Sequence, residues 1–311
     1  MKLLLTGANG FIGRALSVQL ANEGHQVFNA VRSRTAESNE IVVGDLKTFQ
    51  GWDGLLCGID VIVHLAGRAH ILNDRSEGRF EECRIMNANV TIDLAKSAVR
   101  AGAKRFIFVS TIGVNGKVTY DSPFTPDDKP QPHSPYAFSK YEAEVALRNI
   151  SSSTDLETVI IRPPVVYGPN APGNFGKMIS WLTSGIPLPF GSVTGNRRSL
   201  VGLDNLIDLI RTCVDHPNAA NRTFLVSDGH DMSTAELLRR LSLCLGVRPR
   251  LFSVPPRMIQ FIGNNLGRKD IVERLIENLQ VDIHYTCETL GWTPPVSVEE
   301  GFAKIAKFQH K

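Results

Sequence analysis

The apolar run Lys2-Leu3-Leu4-Leu5 leads directly into Thr6-Gly7-Ala8-Asn9-Gly10-Phe11-Ile12-Gly13, three glycines spaced GxxGxxG at the mouth of a helix. Few chain geometries need glycine at all three places. Gly7 permits a tight turn, Gly10 a close backbone approach without a Cβ, and Gly13 close packing of helix on strand, while the helix N-terminus offers unpaired N–H groups to a pyrophosphate. The spacing differs by one residue from GxGxxG, so the flanks must carry the reading. They do so: Lys2 to Leu5 supply a strand, and Phe11, Ala15, Leu16 and Leu20 an apolar helical stripe that stops at Gly24.

Behind this turn, strand-like runs recur at Gln26–Val31, Ile41–Val43, Val61–Leu65, Phe106–Ser110 and Thr158–Ile161, separated by helical patterns over Phe11–Glu23, Arg79–Ala101 and Tyr136–Ile150. Alternating strands and helices, the strands rich in β-branched residues, predict an α/β fold with a doubly wound, mostly parallel Rossmann sheet. Ligands of such sheets sit beyond the carboxyl ends of the strands, so Gly7, Ala66-Gly67, Ser110-Thr111 and Arg162-Pro163-Pro164 should converge. Past Ile161 the alternation weakens and prolines punctuate the chain. Asn205–Val214 reads as a helix, Arg222–Val226 as one more strand, and the residues from about Ser233 as short helices. We therefore expect a dinucleotide-binding domain over 1–165 and about 200–230, and a smaller mixed substrate lobe over 166–199 and 231–311.

The 311 residues are 42% hydrophobic and 21% charged, enough for a substantial core. A net charge of +3 with no long Lys/Arg run argues against nucleic acid and for small anionic ligands. Cys57, Cys83, Cys213, Cys244 and Cys287 are odd in number, widely spaced and without a CxxC, which argues against a metal site or disulfide framework. With Met1 directly on the first strand and no apolar run of spanning length, a cytoplasmic protein without a membrane span is expected.

Tyr136-Ala137-Phe138-Ser139-Lys140 follows the helix-compatible Pro135 and puts phenol and ammonium a turn apart on one face. A neighbouring cation would stabilise phenolate and let Tyr136 exchange a proton with a carbinol or carbonyl oxygen near neutrality. Thr111, at a strand's carboxyl end, could hydrogen-bond the same oxygen, or could be a solvated turn residue. His64 reads more readily as a packed strand histidine than as a catalytic one.

Together these residues resemble the extended short-chain dehydrogenase/reductases, in particular the nucleotide-sugar epimerase, reductase and dehydratase group related to UDP-galactose 4-epimerase. Thr6 to Gly13 is similar to the family's TGxxGxxG turn, Tyr136 and Lys140 to its YxxxK pair, Leu290-Gly291-Trp292-Thr293-Pro294 to its C-terminal signature. The resemblance covers essentially the whole chain. It implies catalysis by Thr111, Tyr136 and Lys140, and a cofactor held by Gly7, Asn9, Gly10, Phe11, Ile12, Gly13, Arg32, Asp45, Leu46, Leu65, Ala66, Gly67, Asn87, Tyr136, Lys140 and Pro163. It also implies substrate contacts from Thr111, Asn174 and Arg198, with a helix-capping role as the other reading of Asn174, and a homodimer through the 79–101 and 136–150 helices.

Two departures from the family pattern discriminate. Members that prefer NAD end the second strand with an acidic residue, where this chain has Val31 followed by Arg32-Ser33-Arg34. Arg32 suits a 2′-phosphate, so NADP(H) is favoured over NAD. The group's dehydratases carry Asp-Glu after the active-site Thr, where this chain has Ile112-Gly113, which argues against dehydration. There remain an NADPH-dependent 4-ketoreductase, most similar to those of UDP-2-acetamido-2,6-dideoxy sugars of O-antigens and other surface polysaccharides, a UDP-sugar 4-epimerase, or a catalytically silent dinucleotide sensor.

Overall fold

The structure is a computed structural model and describes residues 1–34, 39–68 and 77–309. Seven parallel strands form the central sheet in the order β3-β2-β1-β4-β5-β6-β9: β1 (Lys2–Thr6), β2 (Gln26–Val31), β3 (Glu40–Val42), β4 (Val61–His64), β5 (Arg105–Val109), β6 (Glu157–Arg162) and β9 (Arg222–Leu225). Two short strands, β7 (Val165–Tyr167) and β8 (Leu200–Gly202), pair in parallel as a separate ribbon. The strand order reverses between β1 and β4, and such a reversal opens the crevice where doubly wound sheets hold ligands.

The central strands are apolar through their middles, at Leu3–Leu5, Val61–Val63, Phe106–Val109 and Val159–Ile161, because both their faces are covered. Leu3 and Leu5 point into a core closed by α1 (Phe11–Asn22) and, later in the chain, by the helix over Leu203–Asp215; Leu4, Ile62, Phe106 and Phe108 point into the opposite core. That second core is closed by α2 (Trp52–Leu55), the long segment containing α3 (Glu77–Arg84) and α4 (Val90–Arg100), and α5 (Pro135–Ser153). The sequence predicts one helix over 79–101; instead α3 and α4 are joined by a π-helical turn over Ile85–Asn89. From the first turn of α4 the Thr91 hydroxyl donates to the Asn87 carbonyl in that turn at 2.7 Å.

The smaller lobe has its own core. α6 (Gly173–Thr183) supplies Phe175, Met178, Ile179 and Leu182, and after α7 (Leu203–Asp215) come α8 (Thr234–Cys244), with Leu237, Leu238 and Leu241, α9 (Pro256–Asn265), α10 (Lys269–Ile276), α11 (His284–Leu290) and α12 (Val298–Gln309), with Phe302 and Ile305. One segment departs from the expected division. Leu290 and Trp292, predicted within the lobe, are buried in the core under the sheet, where Trp292 Nε1 donates to Asp208 Oδ2 on α7 at 2.7 Å. A large ring with one polar atom is buried where both can be satisfied, and α7 offers an apolar flank and a carboxylate. No helix among the described residues is long and apolar enough to cross a membrane.

Candidate active site

The glycine turn is built as its spacing predicts. Gly7 has a φ of +71°, a Cβ on it would lie 2.8 Å from Ala66 N, and a Cβ on Gly13 would lie 2.2 Å from Gly7 O. No side chain fits between β1, α1 and the end of β4. α1 starts on Gly10 with neither a side-chain cap nor an acidic residue in its first turn, so the N–H groups of Phe11, Ile12 and Gly13 remain available to an anion. Asn9 and Gly10 are exposed beside them. A cradle that a single Cβ would fill fits the pyrophosphate of a dinucleotide.

Hydrogen bonds link this turn to the other strand ends. Leu65 N donates to Thr6 O at 3.2 Å, Ser110 N to Ile161 O at 2.7 Å and Ile112 N to Pro163 O at 3.0 Å. Asn87, fully buried in the π turn, accepts from Arg68 N at 2.8 Å and donates from Nδ2 to Ser139 Oγ at 3.0 Å. It thereby ties the backbone just past Gly67 to α5. A Cβ on Gly67 would meet Asn87 Oδ1 at 3.1 Å and Lys140 Nζ at 3.2 Å, so Gly67, Asn87 and Lys140 form one small chamber. The four predicted strand ends therefore converge.

α5 begins with Ser134 Oγ accepting from Ala137 N and with Pro135 at its first position, which fixes the helix start and brings Tyr136 to the chamber's rim. The adjoining loop carries Thr111, whose hydroxyl accepts from Gly113 N at 3.2 Å and keeps its own proton to donate. A Cβ on Gly113 would touch Ala137 Cβ, His133 Cε1 and Thr111 Oγ1, all at 3.4–3.5 Å. The loop thus lies in van der Waals contact with α5.

The expected charge relation between Tyr136 and Lys140 is not the one observed. Burial, with some help from the neighbouring Cys83, pushes the Tyr136 phenol up to about 12. Lys140 Nζ donates to Val109 O at 2.9 Å and sits 4.4 Å from the centroid of the Phe108 ring, and burial draws its ammonium down to about 7. The ammonium is spent on the strand and the ring, so Tyr136 is a protonated donor at neutral pH.

Two buried groups outside the expected set hold this arrangement. Glu144, one turn beyond Lys140, accepts from Ser110 Oγ (2.6 Å), Arg162 Nε and Nη2 (2.9 and 2.6 Å) and Arg148 Nη2 (2.9 Å). Arg162 Nη1 also donates to Asn115 Oδ1 at 2.9 Å. His64 is fully buried, bonds Thr6 Oγ1 through Nδ1 at 2.7 Å and stacks on Phe108 at 5.9 Å. Desolvation, reinforced by the Lys140 charge, lowers it to about 3, so it packs as a neutral ring. Apart from Arg148 at i+4, no spacing rule could have found the Glu144 network, because its bonds between elements join residues 18 to 47 apart.

At the far side of the cradle, Val31 ends β2 inside the core and Arg32 is exposed just beyond it. Asp45 caps Lys47 N at 3.1 Å, and that bond, with the Lys47 and Arg32 charges, holds its carboxyl below the usual range. Leu46 beside it packs on the α2 core. On the lobe, Asn174 lies exposed in the first turn of α6; Pro172, not Asn174, is the N-cap, which removes the capping explanation. Arg198 is half-buried on an extended segment bridged to Met232 and Leu279, and donates to Glu277 O at 3.0 Å. Desolvation and the nearby Arg274 lower it to about 10. Two converging guanidiniums suit a diphosphate, and Arg274 was not assigned by its sequence context.

A Rossmann sheet with an open phosphate cradle at its switch point, and a buried Lys and a protonated Tyr beside it, defines a dinucleotide-dependent enzyme. Comparison with known proteins agrees: the model of the NAD dependent epimerase/dehydratase family matches residues 3–227, and the chain belongs to that family. It is 44% identical over 309 residues to UDP-glucose 4-epimerase of Vibrio cholerae, covering 98% of this chain and 94% of that protein. The fold is shared with UDP-glucose 4-epimerase of Thermotoga maritima, solved with UDP-glucose (TM-score 0.81, 21% identity, 100% and 99% of the two chains). It is shared equally with UDP-glucuronic acid 4-epimerase of Bacillus cereus, solved with UDP-glucuronic acid and NAD (TM-score 0.81, 22% identity, 99% and 98%).

Proposed function

We propose that this chain is an NADPH-dependent 4-ketoreductase of a UDP-linked hexos-4-ulose, of the 2-acetamido-2,6-dideoxy kind used in surface polysaccharides. The observation that carries this reading is the end of β2, where Val31 is buried and Arg32 exposed with no carboxylate at the strand terminus. An adenosine 2′-phosphate meets no repulsion from the strand end and can pair with Arg32.

When bound, NADPH supplies the hydride. Tyr136, held protonated by burial, donates its proton to the sugar's O4, and the Thr111 hydroxyl donates a second hydrogen bond to the same oxygen. Lys140, held on Val109 O, lines the same chamber and binds the cofactor there. Arg198 and Arg274 pair with the diphosphate, Asn174 contacts the nucleotide, and the lobe over residues 166–199 and 231–311 encloses the sugar. We place the protein in the cytoplasm as a homodimer through α3, α4 and α5, where Phe80 and Phe138 are exposed with ring centroids 6.4 Å apart.

UDP-sugar 4-epimerisation is the second reading, favoured by the name and 44% identity of the Vibrio relative. The two differ in the proton Tyr136 must carry at the start, since reduction begins with phenol and epimerisation with phenolate. Incubation with UDP-4-keto and UDP-4-hydroxy sugars while following NADPH absorbance separates them. Stoichiometric consumption with the keto sugar is expected; interconversion of hydroxy sugars without consumption establishes the epimerase, and binding without either a sensor.

A further inference from the structure

Between Leu237 and Lys269 the chain carries six arginines and one lysine and not a single Asp or Glu. Arg240 is paired with Glu236 and Glu299, and Lys269 with Glu273, whereas Arg248, Arg250, Arg257 and Arg268 are exposed and make no ion pair among the described residues. Within this basic stretch lies α9, whose outward face is apolar. Met258 is 55% exposed, Phe261 70%, Ile262 49% and Leu266, just past its end, 69%. These positions recur at i, i+3, i+4 and i+8, one stripe along the helix. The inward face is separate: Ile259 and Gly263 are buried, and a Cβ on Gly263 would lie 2.4 Å from Val272 Cγ2, so α9 is seated on α10 with its stripe turned away.

We propose that α9 and its arginines form a docking surface for an anionic lipid bilayer, the helix lying in the interface with Phe261 and Ile262 among the acyl chains. The charge pattern selects this occupant. A helix with a bulky apolar face flanked by unpaired cations and free of carboxylates matches a surface of negative headgroups over hydrocarbon. The docking also orients the molecule: α10, directly behind α9, carries Arg274 beside Arg198, so the substrate lobe is the part brought to the membrane.

The test is co-sedimentation of the intact protein with vesicles of phosphatidylglycerol and phosphatidylcholine, against vesicles of phosphatidylcholine alone. Binding to the anionic vesicles only is expected, weakened by high salt. Arg257→Gln and Arg268→Gln should each lower partitioning about fivefold, and the double variant Phe261→Ser/Ile262→Ser at least about tenfold, with melting temperatures unchanged because all four side chains are exposed. Absence of binding to anionic vesicles at low salt overturns the proposal, as does equal binding by the apolar double variant. A wild-type oligomer that Phe261→Ser/Ile262→Ser converts to monomer also overturns it, because a second copy would then cover the face.

Discussion

The two halves of the site are made from different material. In the sheet half the decisive contacts are backbone: Gly7 against Ala66 and Gly13 against Gly7 O. In the lobe they are the tips of long side chains, with Arg198 anchored to Glu277 O and Arg274 exposed nearby. Backbone contacts tolerate no added atom, whereas guanidiniums can be moved, exchanged or re-paired at modest cost. The first half is fitted to a ligand of constant shape, and the second is where one fold can be retuned from sugar to sugar.

Substitutions should separate the halves. The largest effect is expected where they meet: Tyr136→Phe should lower kcat about a thousandfold while leaving cofactor affinity, read by NADPH fluorescence titration, within about twofold. Preserved turnover would remove Tyr136 from the proton transfer. Gly13→Ala forces α1 off the turn at a cost of about 2–3 kcal/mol, so cofactor affinity should fall up to about a hundredfold, with the nucleotide-sugar site affected only indirectly. Arg198→Ala should do the reverse, raising KM for the nucleotide sugar about thirtyfold with cofactor affinity unchanged. If both affinities move together in either variant, the division between the halves fails. Arg32→Ala should reduce the NADPH over NADH preference in kcat/KM about tenfold, and an unchanged ratio would remove Arg32 from the cofactor site.

A separate effect concerns stability. His64 titrates near 6.5 when unfolded and about 3 when folded, so between those values the unfolded chain takes up a proton that the native ring refuses. Stability should therefore decline as pH falls from about 6.5 toward 3. His64→Phe should flatten that part of the urea-midpoint profile.

What could be read in advance follows the same division. The GxxGxxG turn, the buried strands and the YxxxK helix are local patterns, each enforced by backbone geometry or by periodicity, and they converge as expected. The π turn at Asn87 was not legible, because the helical pattern over 79–101 runs through it unbroken. Arg274 looks like any arginine until the fold supplies Arg198 as a neighbour, and the signature around Trp292 does not reveal Asp208 as its partner. The sense of the Tyr136 shift escaped for a related reason: spacing places an ammonium one turn away but says nothing of Val109 O, which claims it.

Glu144 gives these observations a mechanical meaning. It receives Ser110 just past β5, β6's Arg162 and α5's own Arg148 on one carboxylate, while α5 also carries Tyr136 and Lys140. Sliding or rolling that helix would strand a buried guanidinium, a loss of about 3–5 kcal/mol. The carboxylate works as a tie rod, setting the reach of the phenol from the anchored end of its helix. The tolerance of the proton transfer is thus written into a residue that need never touch the sugar.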